Sequence, residues 1–286
     1  MELISALQAT PAMYVVACLI LGLLVGSFLN VVIHRLPLMM EREWQADCAF
    51  ARGETLAEQP RYNLVVPRSA CPQCGHQITA VENIPIVSYL LLRGKCRQCS
   101  TPISMRYPLV EAITGLITAY VGYRFGVTWL AAGAIMFCWT LIALTFIDFD
   151  TQLLPDSLTL PLLWLGLLFN LGDTYVSLKH AVIGAMAGYL ILWSVYWLFK
   201  LIRGKEGMGY GDFKLLAAIG AWLGWSVLPQ VILMSSILGV VGGIVANLRA
   251  RQGLETPFAF GPYLALAGLA SMLWGPQIAQ LIGLNP

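Results

Sequence analysis

Residues 128–150 read TWLAAGAIMFCWTLIALTFIDFD, an apolar stretch that ends in two aspartates, Asp148 and Asp150. No charged side chain interrupts the stretch before Asp148, and a helix needs about 20 largely apolar residues to cross the core of a bilayer. The whole chain agrees, because 58% of its 286 residues are hydrophobic and only 11% are charged. Soluble domains carry about 25% charged residues. The sequence therefore predicts an integral membrane protein.

Eight apolar segments are candidates for membrane-spanning helices. They cover residues 12–33, 108–123, 128–147, 153–171, 181–202, 213–228, 231–248 and 258–281. The weakest is 213–228, and seven spans result if it merges with the next segment. The first basic residue is Arg35, so no basic region of a signal peptide precedes the first apolar run, and we expect that run to remain as a span. The predicted fold is an all-α polytopic membrane protein with about eight transmembrane helices.

The Lys and Arg residues predict the orientation of these helices. With eight spans, one side of the membrane holds fifteen Lys and Arg residues, and the other side holds only Arg124 and Lys179. The first side consists of segments 34–107, 148–152, 200–214 and 249–257. Cytoplasmic loops are enriched in these residues, so the first side is predicted to face the cytoplasm and both termini to lie outside. The predicted domains are a first span to residue 33, a cytoplasmic segment over 34–107, and membrane helices over 108–286. The net charge of +2 gives no indication of a nucleic-acid partner.

Two Cys-x-x-Cys pairs lie in the cytoplasmic segment, and 21 residues separate them. Four thiolates can hold one tetrahedral zinc ion, and such a closed site is structural rather than catalytic. Disulfides are the alternative, but the cytoplasm keeps thiols reduced. We predict one structural zinc ion per chain with the ligands Cys71, Cys74, Cys96 and Cys99. Cys18 and Cys138 lie inside predicted spans, where free cysteines are usually packing residues.

Four of the six aspartates lie at the cytoplasmic ends of predicted spans, namely Asp148, Asp150, Asp156 and Asp212. Ionisable groups near membrane depth are costly and usually functional. Aspartyl proteolysis needs two carboxylates from separate elements that share one proton and hold a water molecule between them. Asp148 ends the third span and Asp212 begins the sixth, so both lie at one membrane face. Gly209 and Gly211 before Asp212 would let a peptide backbone approach closely.

Structural roles remain open for the same acidic residues. Asp156 would cap the fourth helix after Pro155, Asp150 would be a solvated loop residue, and Asp212 would be an N-cap. Lys205 and Lys214 are read as ordinary charges at the membrane boundary. Two non-proteolytic functions also remain: a transporter whose aspartates bind a cation, and a zinc-bearing assembly adaptor without catalysis. A transporter would predict inverted repeats and broken helices at mid-membrane, whereas the sequence shows no repeat and its acidic residues lie at one membrane face.

Several motifs together resemble the bacterial type 4 prepilin peptidases, a family of GxGD-type aspartyl proteases. The motifs are GYGD at 209–212, DFDTQLLPD at 148–156, GSFLNVVIHRLP at 26–37, RYPLVE at 106–111 and the two cysteine pairs. They occur in order along nearly the whole chain, so the combination is specific. The resemblance implies that Asp148 and Asp212 are the catalytic residues.

The resemblance also implies two activities in the bacterial inner membrane. Members of the family cut the basic leader from type IV prepilins and type II secretion pseudopilins, and they then N-methylate the new terminus with S-adenosylmethionine. The sequence does not locate the methyl donor. Glu111 is a candidate because it lies in the first turn of an apolar span, where a free carboxylate is costly. A pairing with Arg106 or a neighbouring helix would explain it structurally, whereas binding of the donor or the substrate amine would make it functional.

Overall fold

The computed structural model describes residues 10–54, 60–205, 207–250 and 259–283. The chain forms two compact units, Met1–Val127 and Thr128–Pro286. The helices of the first unit are α1 (Pro11–Ala51), α2 (Val87–Leu91) and α3 (Arg106–Phe125). The helices of the second unit are α4 (Trp129–Thr151), α5 (Asp156–Asn170), α6 (Leu178–Arg203), α7 (Tyr210–Leu223), α8 (Leu228–Ala250) and α9 (Gly261–Leu281). The only β-structure in these ranges is two isolated bridges, Ala70 with Gln77 and Lys95 with Pro102.

Four helical segments are long and apolar enough to cross a membrane. Among the residues the structure describes, they are Pro11–Ala51, Trp129–Thr151, Leu178–Arg203 and Trp225–Val245. The prediction of an all-α membrane protein is thereby confirmed, whereas eight spans are not. The 14-residue helix α7 shows why, because at 1.5 Å per residue it is about 21 Å long and a bilayer core is about 30 Å thick.

The predicted boundary between the sixth and seventh spans is wrong. Residues 225–227 form a 3₁₀ turn that leads into α8, whereas the sequence had assigned them to the segment 213–228. Helix α7 ends at Leu223 because Gly224 adopts φ +80°, a conformation that favours glycine. Residues 251–257 of the predicted cytoplasmic segment 249–257, and Phe258 at the start of the predicted last span, lie outside the described residues.

Small residues bring α1 and α3 together in the first unit. A Cβ on Gly22 would lie 2.6 Å from Thr118 Oγ1, and one on Gly26 would lie 2.7 Å from the Cα of Glu111. Helix α1 then continues past Ile33, where the predicted span ends, and through Pro37 to Ala51. The buried Arg35 of this extension donates from Nη1 to the Asn63 carbonyl at 2.9 Å. This contact ties the stretch that follows residue 59 to the helix.

Helix α7 is the central element of the second unit, and it packs against α5, α6 and α9. Its residues 215–223 are all buried. The backbones of α6 and α7 meet at Gly184 and Gly220, where neither residue has room for a Cβ. At the carboxyl end of α5, Asn170 Nδ2 donates to the carbonyls of Ala221 (2.9 Å) and Trp222 (3.0 Å). The short helix is therefore held on several sides, and its first turn has a fixed position.

Candidate active site and candidate metal centre

Asp148 and Asp212 are brought into one buried site within the second unit. Asp148 lies in the last turn of α4, and Asp212 lies in the first turn of α7. They are only 4% and 6% exposed. The two carboxylates lie close enough for the charge of Asp148 to act on Asp212. Two carboxylates in a shared, poorly solvated site cannot both ionise at low cost, so they favour holding one proton between them.

Backbone N–H groups at the starts of two helices lie near these carboxylates. The backbone N–H of Gly209, the N-cap residue of α7, lies near the Asp212 carboxylate. The N–H of Gly261, the first residue of α9, is directed at the Asp148 carboxylate. Within the described residues, the Oδ2 atom of Asp148 is buried and has no hydrogen-bond partner. A buried oxygen without a partner is costly and unusual, and such atoms occur at sites built for a reactant.

The other two aspartates of the predicted cluster are placed differently. Asp150 is exposed at the end of α4. Lys214 Nζ donates a hydrogen bond to each carboxylate oxygen of Asp156 at 2.7 Å. This ion pair joins the amino-terminal ends of α5 and α7. The prediction that Asp156 caps α5 is wrong, because Pro155 is the N-cap residue and no side chain caps the helix. The alternative that Asp212 is an N-cap is also wrong, because Gly209 occupies that position.

The two glycines before Asp212 have different surroundings. A Cβ on Gly211 would lie 2.7 Å from Leu154 Cβ, so this glycine makes room for the loop between α4 and α5. A Cβ on Gly209 would meet nothing closer than the Gly211 backbone nitrogen, at 3.9 Å. Of the two predicted substrate-binding glycines, only Gly209 thus has open space beside it.

The four predicted zinc ligands converge in the first unit. Their sulfur atoms all lie within 4.8 Å of one another, with 3.7 Å between Cys71 and Cys99 and 3.9 Å between Cys74 and Cys96. Four sulfurs at about 2.3 Å from a tetrahedral zinc ion are about 3.8 Å apart. A disulfide would require about 2.05 Å, and all four cysteines are free thiols. The donor set therefore fits a tetrahedral metal ion.

The two cysteine pairs form the same turn. Cys71 N–H donates to the His76 carbonyl at 2.9 Å, and Cys96 N–H donates in the same way to the Thr101 carbonyl at 2.8 Å. Hydrogen bonds from the backbone N–H groups of Cys74 and Gln73 lower the pKa of the Cys71 thiol. The side chain and then the backbone of Thr101 lower the pKa of the Cys99 thiol to about 6. Against a hydrogen bond from the His76 backbone, burial and the neighbouring cysteine side chains raise the pKa of Cys74 to about 12. The lowered pKa values therefore favour the metal-binding thiolate form at Cys71 and Cys99 only.

Glu82 connects the two turns, a role that the sequence did not suggest. Its side chain, 8% exposed, accepts hydrogen bonds from Thr79 N (2.9 Å) and Thr79 Oγ1 (2.8 Å) and lies 3.2 Å from His76 Nε2. Its Oε1 is also 3.9 Å from Arg97 Nη1 in the second turn. Hydrogen bonds from the Thr79 backbone and side chain, followed by those from His76, lower the pKa of Glu82 to about 2. The sequence did not indicate these contacts, because no recognised motif links Glu82 to Thr79, His76 and Arg97.

Glu111 is buried in the first unit, and its carboxylate has partners. Glu111 Oε2 accepts a hydrogen bond from the Ile86 N–H at 2.8 Å, and the Ser27 hydroxyl also interacts with the carboxylate. Ile86 adopts φ +59°, which is a strained conformation for a β-branched residue. Asn30 Nδ2 donates to the Tyr107 carbonyl nearby along the same two helices. The structure thus gathers several polar groups where α1 and α3 meet the loop before α2.

Comparisons with known proteins agree with this arrangement of two units. The family described as "Bacterial Peptidase A24 N-terminal domain" matches residues 20–125, and the "Type IV leader peptidase family" matches residues 135–244. A prepilin leader peptidase/N-methyltransferase of Aeromonas hydrophila is 56% identical over 280 residues, which cover 97% of each chain. Proteins of the same name from Pseudomonas aeruginosa (55% identical, 98% of this chain and 97% of that one) and Burkholderia pseudomallei (53%, 98% and 92%) are also similar. No solved structure matches the chain.

Proposed function

The chain belongs to the type IV leader peptidase family, and we propose that it cleaves the leader of prepilins with the carboxylates of Asp148 and Asp212. One observation carries the assignment: of the four aspartates at these helix ends, only this pair is both buried and mutually interacting. Asp150 is exposed, and Asp156 is bound by Lys214. These surroundings favour a proton shared by Asp148 and Asp212, which is the starting state of aspartyl proteolysis.

Cleavage follows from one ionised and one protonated carboxylate. The ionised carboxylate takes a proton from a water molecule, and the resulting hydroxide attacks the scissile carbonyl carbon. The protonated carboxylate gives its proton to the carbonyl oxygen. When the tetrahedral intermediate collapses, the C–N bond breaks and the first carboxylate returns its proton to the nitrogen. The second carboxylate takes back a hydroxyl proton, so the leader leaves as a carboxylic acid and the mature pilin leaves with a free amino terminus. Each carboxylate thereby acts once as an acid and once as a base, and the pair returns to its starting protonation state.

The family implies the substrate class, and the position of this site at the ends of apolar helices is compatible with it. Type IV prepilins and type II secretion pseudopilins carry a basic leader followed by an apolar helix, which can lie in the lipid bilayer with its cleavage point at the boundary. Gly209 provides open space beside Asp212 for the substrate backbone. Gly211 supports the site through Leu154 rather than by contact with substrate.

The orientation follows from the charges of the loops. Fifteen Lys and Arg on one predicted side, against two on the other, favour a multi-pass protein of the bacterial inner membrane whose active site faces the cytoplasm. The eight helices of 14 or more residues within the described ranges are compatible with eight crossings if the shorter ones are surrounded by protein. Cys71, Cys74, Cys96 and Cys99 would hold one structural zinc ion, which stabilises the cytoplasmic segment.

The second reaction N-methylates the new amino terminus, with S-adenosylmethionine supplying the methyl group from its sulfonium. The polar groups around Glu111, Ser27 and Asn30 are the best candidates in the first unit to bind this donor or the acceptor amine. A carboxylate suits both ligands, because the sulfonium and a protonated amine are cationic. Glu111 would therefore orient one of the two.

A purified preparation and a synthetic prepilin test both activities. Mass spectrometry follows the loss of the leader and the gain of a methyl group. We expect Asp148→Asn and Asp212→Asn each to lower the cleavage rate by about 100- to 10000-fold, which is the usual contribution of a general acid or base. Asp150→Asn is the matched control and should cleave at the normal rate. An inactive Asp150→Asn beside an active Asp148→Asn would refute the assignment.

A further inference from the structure

Gly261, the first residue of α9, lies directly against the Asp148 carboxylate. A Cβ at this position would lie 2.6 Å from Asp148 Oδ2, 3.1 Å from Asp148 Cγ and 3.0 Å from Leu154 Cδ1. Real Cβ atoms do not approach other heavy atoms within 3.0 Å, so any other residue would displace the carboxylate or the start of the helix. Gly261 does not have a positive φ, so its backbone could accommodate another residue. Glycine is needed here for space.

The start of α9 directs a single backbone donor at Asp148. Pro262 has no N–H, and the N–H groups of Tyr263 and Leu264 donate to the Phe260 carbonyl at 3.1 and 3.2 Å. Gly261 is thus the residue of this turn whose N–H faces the carboxylate. The first N–H groups of a helix carry a partial positive charge, which stabilises a nearby anion.

The second observation is the Asp148 Oδ2 atom, which is buried and has no hydrogen-bond partner in the described parts of the chain. It is also the atom that a methyl group on residue 261 would strike. The missing side chain therefore lets the carboxylate lie against the helix start, and no hydrogen-bond partner within the described residues occupies Oδ2. Oδ2 is then available for the proton or the water molecule that aspartyl proteolysis requires.

We propose that Gly261 is a positioning residue for leader cleavage, which orients the Asp148 carboxylate through its N–H and lets that carboxylate pack against the start of α9 through its lack of a side chain. The inference rests on the proposed catalytic role of Asp148. It adds a third element, the amino terminus of α9, to a site otherwise formed by α4 and α7. It also assigns a function to a residue that none of the predicted motifs contains.

Gly261→Ala tests the proposal, with Gly268→Ala as the matched control in the same helix. A Cβ on Gly268 would be similarly crowded, at 2.8 Å from Ile219 Cδ1, but by the end of a flexible apolar side chain. We expect Gly261→Ala to lower kcat for cleavage by about 100-fold, which is the usual result of a displacement of about 1 Å at a reacting group. Its KM should stay within about threefold, and the same preparation should methylate a pre-cleaved pilin at the normal rate. Gly268→Ala should keep the normal kcat.

Three results would overturn the proposal: a kcat for Gly261→Ala within about twofold of wild type, equal losses of kcat in both variants, or a parallel loss of methylation. Each would mean that residue 261 does not act through Asp148. Asp148→Asn, measured alongside, separates this failure from that of the proposed function. If Asp148→Asn is inactive while Gly261→Ala is normal, only the role of Gly261 is refuted, whereas an active Asp148→Asn refutes the catalytic assignment itself.

Discussion

The cysteine cluster and the aspartate pair are built in opposite ways. The four cysteines lie in two short turns within residues 71–99, and local backbone hydrogen bonds shape each turn. The two aspartates lie 64 positions apart by their numbers, 148 and 212, and meet because buried helices hold them in place. The cluster is partly exposed to solvent, whereas the pair is almost fully buried. A site of the first kind depends on its ligand for stability, and one of the second kind depends on the packing of its unit.

The largest expected effect comes from the loss of the cysteine cluster. Replacing Cys71, Cys74, Cys96 and Cys99 by Ser should reduce copurifying zinc from about one ion per chain to none. Structural zinc contributes about 10 kcal/mol or more to the folding of small domains, so the turns should unfold. Limited trypsin digestion should then cut at Arg68, Arg93 and Arg97, while the second unit remains resistant.

Cys48→Ser is the control for this experiment, because Cys48 is a free, half-buried cysteine outside the cluster. It should keep the zinc and the digestion pattern of the wild type. Retention of zinc by the fourfold variant, or an unchanged digestion pattern after zinc loss, would show that the cysteines do not form a structural metal site. Digestion of the second unit as well would show that the two sites do not differ in the way proposed.

The cysteine cluster forms locally in the chain, whereas helix packing brings the aspartate pair together. This difference explains which parts of the molecule could be predicted from the sequence. The spacing of the cysteines predicted their convergence, because a Cys-x-x-Cys turn forms within a few residues. Hydropathy predicted a helical membrane protein but not its helix ends: α1 continues through Pro37, which usually breaks a helix. The end of α7 had a local signal in Gly224, since glycine often follows the last residue of a helix.

The aspartate site was only partly predictable for the same reason. The acidic residues at helix ends were visible, but the burial that separates Asp148 from Asp150 and the ion pair that occupies Asp156 depend on tertiary packing. Gly261 was missed because a glycine at the start of an apolar helix has no distinctive pattern. Its importance comes from the 2.6 Å between its absent Cβ and Asp148 Oδ2, a distance that no local sequence pattern encodes.

Glu111→Gln should have an effect of intermediate size, and it tests whether methylation depends on the first unit while cleavage depends on the second. The amide oxygen of Gln can still accept the Ile86 hydrogen bond, so the fold should persist, but the negative charge is lost. If that charge binds a cationic ligand, methylation should fall by about tenfold or more, equivalent to about 1.4 kcal/mol, with cleavage unchanged. Asp148→Asn should show the reverse pattern and methylate a pre-cleaved pilin. Normal methylation by Glu111→Gln would show that Glu111 has only a structural role, as the hydrogen-bond acceptor of Ile86.

The smallest expected effect concerns the equivalence of the two cysteine turns. Gly75 and Ser100 occupy the same position, because each donates its N–H at 2.9 Å to the carbonyl of the first cysteine of its pair. Both have positive φ, +71° for Gly75 and +57° for Ser100. This conformation costs a residue other than glycine about 1–2 kcal/mol, so the second turn carries strain that the first avoids.

Removing the side chain at position 100 and adding one at position 75 should therefore change the zinc affinity in opposite directions. Ser100→Gly should relieve the strain and stabilise the metal-bound turn by up to about 1 kcal/mol, or about fivefold in the dissociation constant for zinc. Gly75→Ala should weaken binding by a similar factor, and only through its backbone, because a Cβ there would meet nothing within 4 Å. Competition with a chromophoric chelator measures both constants in the purified protein. Weaker binding by Ser100→Gly would show that the Ser100 side chain supports the site, and the two turns would then not be equivalent.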